Sequence, residues 1–151
     1  MVRSFAEREV KLLVNDDDDF ASYNRSVLKR MGELGILGIC IPTNYGGSGF
    51  DYICLAIACE ELERVDTGAR INLSVHLALN SLTLLRWGNE EQKQKFLIPQ
   101  VKGQTIGAFS LTESSSGSDI YGIQTTAIKD GDYYILNGHK MWVSLVDVAD
   151  N

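Results

Sequence analysis

Thr105-Ile106-Gly107-Ala108-Phe109-Ser110-Leu111-Thr112-Glu113-Ser114-Ser115-Ser116-Gly117-Ser118-Asp119 is the stretch in which the chain changes character. Before it, apolar residues recur at helical spacing; within it the period changes, and a strand-like run enters a serine-rich loop. Thr105 to Thr112 reads as a strand. The loop that follows exposes backbone N–H groups and hydroxyls without bulky side chains. Helices before this point and strands after it make the fold class α+β. An N-terminal all-α helical bundle over residues 1–104 is followed by an incomplete antiparallel β domain over residues 105–151.

Working back toward the N-terminus, each helix has its own signals. Phe5, Val10, Leu12 and Leu13 are loosely amphipathic and predict a short helix ending in the solvated run Asn15-Asp16-Asp17-Asp18-Asp19. Consecutive Asp residues do not present the alternating ligands of a calcium loop, so no metal site is assigned there. Val27, Leu28, Met31 and Leu34 fall at helical spacing and predict a helix that stops near Gly35. Pro42 to Gly49 reads as a connector, because its Pro and Gly supply turn conformations and no strand precedes it as a phosphate loop requires.

Asp51 is placed as the N-cap of a helix reaching Val65, expected to be largely buried in its first turns. Ala69 to Trp87 shows little polar surface and is expected at the centre of the bundle. Asn89, with Gln92 three positions on, forms a capping-box pattern for a last helix ending before Pro99. The helical part ends near Gly103.

Downstream, Ile123 to Ile128 and Tyr133 to Leu136 predict strands around the hairpin turn at Asp130-Gly131-Asp132. Asn137-Gly138 marks another turn, and His139 to Ser144 predicts a further strand. So few strands with open edges are marginal as an independent sheet.

Composition narrows the function classes. The 151 residues, 44% hydrophobic and 23% charged, have the balance of a globular protein with a real core. A net charge of −6 argues against nucleic acid as a partner, since phosphate binding needs a concentrated Lys/Arg face. Cys40, Cys54 and Cys59 are odd in number and lack CxxC spacing, which supports neither a disulfide framework nor a structural zinc. No apolar run reaches the ~20 residues of a membrane span. Acids interspersed from Glu7 to Glu9 do not fit a signal or transit peptide.

Phe109-Ser110-Leu111-Thr112-Glu113-Ser114-Ser115-Ser116-Gly117-Ser118-Asp119 followed by Asn137-Gly138-His139-Lys140-Met141-Trp142-Val143-Ser144 resembles the acyl-CoA dehydrogenase family. The first segment looks like the family's Leu-Thr-Glu-x-x-x-Gly-Ser-Asp signature and the second like its Asn-Gly-x-Lys-x-Trp-Ile-Thr strand. The resemblance also covers Met31 to Gly49 and Glu60 to Gly103. It implies a helical N-terminal domain, a β domain, a C-terminal helical bundle, and FAD between the last two.

By that resemblance, Phe109, Ser110, Leu111, Thr112, Gly117, Ser118, Trp142, Val143 and Ser144 belong to the FAD site. Leu111 and Thr112 would serve the flavin's polar pyrimidine edge, and Ser118 would stand near phosphate and the acyl-CoA. Trp142 would lie flat beside the isoalloxazine, and Ser144 would offer its hydroxyl to flavin N5. Glu113 and Asp119 are read as loop-bracing acids.

Arg70, in Arg64-Val65-Asp66-Thr67-Gly68-Ala69-Arg70, resembles the glutaryl-CoA dehydrogenase branch, where Arg clamps the substrate's distal carboxylate; a solvated or capping Arg is the alternative. Two departures stand out. Ser114-Ser115-Ser116 replaces a commoner Pro-Gly-Ala, and Leu145-Val146-Asp147 replaces an Asn-Gly-containing turn. His76, with only His139 as a companion, is expected to be a hydrogen-bonded core histidine and not a metal ligand.

The implied activity is FAD-dependent oxidation of acyl-CoA to trans-2-enoyl-CoA. A Glu carboxylate takes the α proton, and the β hydrogen passes to flavin N5 as hydride. That Glu belongs to the C-terminal helical domain, so no catalytic residue is assigned in this chain and the chain alone is expected to be inactive. Electron-transfer flavoprotein is the implied acceptor, and a homo-oligomer the implied assembly. The implied compartment is the cytoplasm of a bacterium or archaeon, or the mitochondrial matrix of a eukaryote. An acyl-CoA oxidase fragment and a non-catalytic helical assembly module remain the alternatives.

Overall fold

A computed structural model describes residues 1–16 and 19–151. Asp17 and Asp18, within the acidic run from Asp16 to Asp19, lie outside the described residues. The chain forms two compact units, one of residues 1–108 with 145–151 and the other of residues 109–144.

Among the described residues, the first unit contains five α-helical stretches and a 3-10 turn at Thr43–Tyr45. Helix α1 covers residues 2–16, with a π-helical middle at Ala6–Val10. Helix α2 is Phe20–Glu33, α3 is Tyr52–Glu63, α4 covers residues 67–87, and α5 covers residues 90–101. The starts of α2 to α5 are fixed by Asx side chains that satisfy otherwise orphaned first-turn N–H groups. Asp19 accepts from Ala21 N at 3.0 Å, Asp51 from Cys54 N at 3.0 Å, and Asp66 from Ala69 N at 2.6 Å. Asn89 and Gln92 complete a reciprocal capping box at 2.8 and 2.9 Å.

Two of the ends are built alike. After α2, Gly35 at φ +74° lets Ile36 N reach Met31 O at 2.8 Å and Gly35 N reach Gly32 O at 3.0 Å. After α5, Gly103 at φ +66° does the same, with Gln104 N to Pro99 O at 2.9 Å and Gly103 N to Gln100 O at 3.0 Å. Both are Schellman motifs, whose left-handed position suits glycine because it has no Cβ.

Leu28, Met31, Leu37, Leu62, Leu73, Leu77 and Leu97 are fully buried and form the centre of the core. Each such side chain contributes on the order of 1.5–3 kcal/mol of transfer free energy. Residues 145–151 join this unit because Leu145 and Val148 are buried in it and because the backbone pairs with residues 106–108. Asp150 N donates to Ile106 O at 2.7 Å and Ala108 N donates to Asn151 O at 2.9 Å.

The second unit holds one antiparallel hairpin, β1 (Thr126–Asp130) and β2 (Tyr133–Asn137), with Ile128 opposite Ile135. Gly131, at φ +59°, takes the first position of the two-residue loop, where positive φ matches the twist of the strands. Every residue of both strands is exposed. The helical region followed by an antiparallel pair is the α+β arrangement the sequence indicates.

Four local expectations are corrected. The last helix does not end before Pro99, because α5 runs through it to Val101. Thr105 to Thr112 is not a strand of the sheet; residues 106–108 pair with residues 150–151, and Thr112 O accepts from Met141 N at 2.9 Å. His139 to Ser144 is not a strand either, because Trp142 takes φ +59°, a left-handed conformation that no regular ladder accommodates. The start of α3 is open to solvent, with Tyr52 66% and Ile53 69% exposed, since only the face carrying Ala58 and Leu62 turns inward. Among the described residues, no helix is long and apolar enough to cross a membrane.

Candidate functional site

Within residues 109–144, the site is organised around one acid. The Glu113 carboxylate is buried and accepts from Gln124 N at 2.7 Å, Thr125 N at 3.0 Å, the Thr125 hydroxyl, and Lys140 Nζ at 2.8 Å. These donors, the Lys140 ammonium first and the Thr125 hydroxyl next, hold its pKa down to about 2. Lys140 Nζ also donates to Leu111 O at 2.8 Å, and Met141 N to Thr112 O at 2.9 Å. The two motifs are therefore tied together at Leu111 and Thr112 on one side and Lys140 and Met141 on the other, each bonded pair 29 residues apart in sequence.

The loop between Glu113 and Asp119 is a tight turn. Glu113 and Ser116 exchange backbone hydrogen bonds at 2.9 and 3.1 Å, and Ser116 Oγ donates to Asp119 O at 2.6 Å. Asp119 accepts from Tyr121 N at 3.1 Å and so braces the following turn. Ser114, Ser115, Gly117 and Ser118 are left facing solvent. A side chain at Gly117 would meet nothing within 4 Å, so the ground beside it is open.

Of the residues singled out from sequence, Ser110, Leu111, Gly117, Ser118 and Trp142 are exposed, and Phe109, Thr112, Val143 and Ser144 are half-buried. Trp142 is 83% exposed although it is one of the largest apolar side chains in the chain. Its left-handed backbone costs on the order of 1–3 kcal/mol, a strain that persists only where neighbouring contacts enforce it. Lys140 and Thr125 escaped sequence reasoning as individual residues. The Lys in the Asn-Gly-x-Lys run was the available signal; nothing local marked Thr125.

Arg70 lies on α4 in the helical unit. Its Nε donates to Glu63 Oε2 at 2.7 Å, and Glu63 Oε1 accepts from the Thr67 hydroxyl at 2.8 Å. Bonding to Arg70 and then Thr67 lowers the Glu63 pKa. Arg70 is thus held in place at one edge of its guanidinium, and its side chain stays one-third exposed.

His76 is fully buried on the π-helical part of α4, as the sequence implies, but it is not hydrogen-bonded. Both ring nitrogens, and Thr105 Oγ1, are buried without a partner among the described residues. Burial pushes the His76 pKa down to about 4, while the Thr105 backbone, nearby but outside hydrogen-bond geometry, opposes this weakly. No group of His, Cys, Asp and Glu that could hold a metal occurs among the described residues.

A helical unit is followed in sequence by a Leu-Thr-Glu turn pinned to an Asn-Gly-x-Lys-x-Trp segment, the motif order on which the resemblance to acyl-CoA dehydrogenases rests. Family models agree: "Acyl-CoA dehydrogenase, N-terminal domain" matches residues 1–104 and "Acyl-CoA dehydrogenase, middle domain" matches residues 108–151. The chain belongs to the acyl-CoA dehydrogenase family.

Among curated relatives, it is 41% identical over 150 residues to a short-chain specific acyl-CoA dehydrogenase of Clostridium acetobutylicum, covering 99% of this chain and 40% of that protein. A solved structure of glutaryl-CoA dehydrogenase from Mycobacterium smegmatis superimposes with a TM-score of 0.89 at 37% identity, covering 99% of this chain and 38% of that one. A solved structure reported as the electron transferring flavoprotein of Acidaminococcus fermentans gives a TM-score of 0.91 at 42% identity, covering 99% and 39%. The chain spans about two fifths of the length of the relatives it matches.

Proposed function

We propose that this chain supplies the N-terminal helical domain, residues 1–104, and the opening of the β domain, residues 105–151, of an FAD-dependent acyl-CoA dehydrogenase. The observation that carries this reading is the pinning of Leu111 and Thr112 to the segment bearing Trp142, through Lys140 and Met141. The residues fit a flavin. An apolar indole, held out of the core on strained backbone, faces solvent, and beside the Glu113 turn lies open, small-residue ground where Ser114, Ser115, Gly117 and Ser118 are exposed.

In this reading Trp142 gives the isoalloxazine a flat apolar surface, Ser144 offers a hydroxyl near N5, and Leu111 and Thr112 present polar main-chain and side-chain groups to the pyrimidine edge. Phe109, Ser110 and Val143 complete the wall, and Gly117 and Ser118 leave room for phosphate and the acyl-CoA. When bound, FAD supplies the hydride acceptor for oxidation of acyl-CoA to trans-2-enoyl-CoA. None of this chain's acids is assigned as the α-proton base. Glu113 is held ionised by four donors, and Asp119 caps a turn, so both are engaged in structure.

Arg70 is assigned to the distal end of the acyl chain, where its guanidinium would receive a carboxylate; likeness to a glutaryl-CoA dehydrogenase supports this. Electron-transfer flavoprotein is the proposed acceptor, in keeping with the similarity to the Acidaminococcus fermentans structure. A homo-oligomeric enzyme in a bacterial or archaeal cytoplasm, or in a mitochondrial matrix, completes the reading.

Dye reduction driven by acyl-CoA tests it. The purified chain with FAD should give no turnover, whereas adding the remainder of the β domain together with the C-terminal helical domain of a related dehydrogenase in trans should produce enoyl-CoA. Turnover by the chain alone would contradict the placement of the base outside these residues.

A further inference from the structure

The geometry points to Glu113 and Lys140 as a positioning pair that holds Trp142 in its left-handed conformation for the flavin, an inference that rests on the flavin reading above. Trp142 is strained and almost fully exposed, so its own side chain gives it no reason to stay where it is. On its N-terminal side the constraint comes from the residues just before it. Lys140 supplies that constraint by donating to Glu113 Oε1 and to Leu111 O, both at 2.8 Å. Met141 adds a backbone bond to Thr112 O at 2.9 Å.

Glu113 can serve as the fixed point because it is buried, and because Gln124 N and Thr125 N grip its two oxygens at 2.7 and 3.0 Å. The Lys140 side chain is itself only 22% exposed, which shields this ion pair from solvent more than a surface pair would be. The pair is therefore assigned a positioning role, with no contact of its own to flavin or substrate. It acts through Trp142 on one side and through the Leu111 carbonyl on the other. Arginine can keep the charge and the donors, while methionine keeps the stem and removes both.

The test uses the 151-residue chain in a Trp87→Phe background, so that fluorescence reports Trp142 alone. FAD titration gives the affinity, the visible circular dichroism of bound flavin gives a spectroscopic signature, and hydrogen exchange follows the Met141 amide. Lys140→Met should weaken FAD binding about tenfold, alter the flavin dichroism and speed Met141 exchange. Lys140→Arg should restore all three to within about threefold of the unaltered chain. The far-ultraviolet dichroism of the helices should be the same in every variant.

Unchanged affinity, flavin dichroism and Met141 exchange in Lys140→Met would overturn the inference. If the unaltered chain binds no FAD, the flavin reading fails. The pair is then judged by Met141 exchange and Trp142 emission, where a response to Lys140→Met that Lys140→Arg reverses upholds positioning and no response overturns it.

Discussion

Arg70 Nε stands 2.7 Å from Glu63 Oε2, across the turn that joins the end of α3 to the start of α4. Glu63 is oriented in turn by the Thr67 hydroxyl at 2.8 Å. The guanidinium is thus held by an internal carboxylate, which orients it and leaves its other edge for a second acid. Because both side chains are substantially exposed, the pair by itself contributes little to stability.

If Arg70 receives a distal carboxylate, Arg70→Met in the assembled dehydrogenase should lower kcat/KM for dicarboxylic acyl-CoA roughly 10–100-fold, the range for losing a charge-assisted hydrogen bond. Turnover of monocarboxylic acyl-CoA should stay within about threefold. Steady-state kinetics on matched substrates decides it, and equal losses on both would sink the assignment.

His76 makes the helical unit sensitive to acid. Its pKa falls from 6.5 in the unfolded chain to about 4 in the fold, so the unfolded state binds the proton first. Stability is therefore complete above pH 6.5 and declines as pH falls toward 4, by about 3 kcal/mol in all at ~1.4 kcal/mol per unit. Thermal unfolding followed at 222 nm between roughly pH 7 and 4.5 should show that slope, and His76→Leu should flatten it. An identical slope in the variant would show that other groups cause it.

Glu113 titrates lower still. Its folded pKa near 2 lies below the ordinary 4.5, so its contribution is present above pH 4.5 and is lost as pH falls from there toward 2. Glu113→Gln should loosen residues 109–144 at neutral pH, with faster amide exchange at Gln124, Thr125 and Met141. Exchange at these amides equal to that of the unaltered chain would contradict the role given to the carboxylate.

Gly35 closes the α2 Schellman motif at φ +74°, and a Cβ there would also stand 3.3 Å from Ser48 Oγ. Gly35→Ala should cost about 1–2 kcal/mol, the penalty of a left-handed alanine, and lower Tm accordingly. An unchanged Tm would mean that the end of the helix repacks.

Much of the helical unit was legible because its signals are local. Asp51, Asn89 and Gln92 announce helix starts and Gly35 and Gly103 their ends, each within a few residues of what it controls. What could not be read depends on distant partners. Residues 106–108 have strand character yet pair with residues 150–151, and His139 to Ser144 loses its strand at Trp142, whose positive φ no propensity foretells.

The start of α3 is apolar in sequence yet exposed, because apolar content alone does not say which face meets a neighbour. Of the site, the motif residues were visible, whereas the convergence of Gln124, Thr125 and Lys140 on Glu113 was not. Those donors come from 11 to 27 residues away.

The central claim is that residues 109–144 carry a wall of a flavin site centred on Trp142. It is tested most directly by titrating FAD into the Trp87→Phe chain and following Trp142 fluorescence. A saturable quench that fits a single site, and whose midpoint Lys140→Met moves to higher FAD concentration, is the expected result. Quenching that rises with FAD without saturating, as for a free indole in solution, would contradict it.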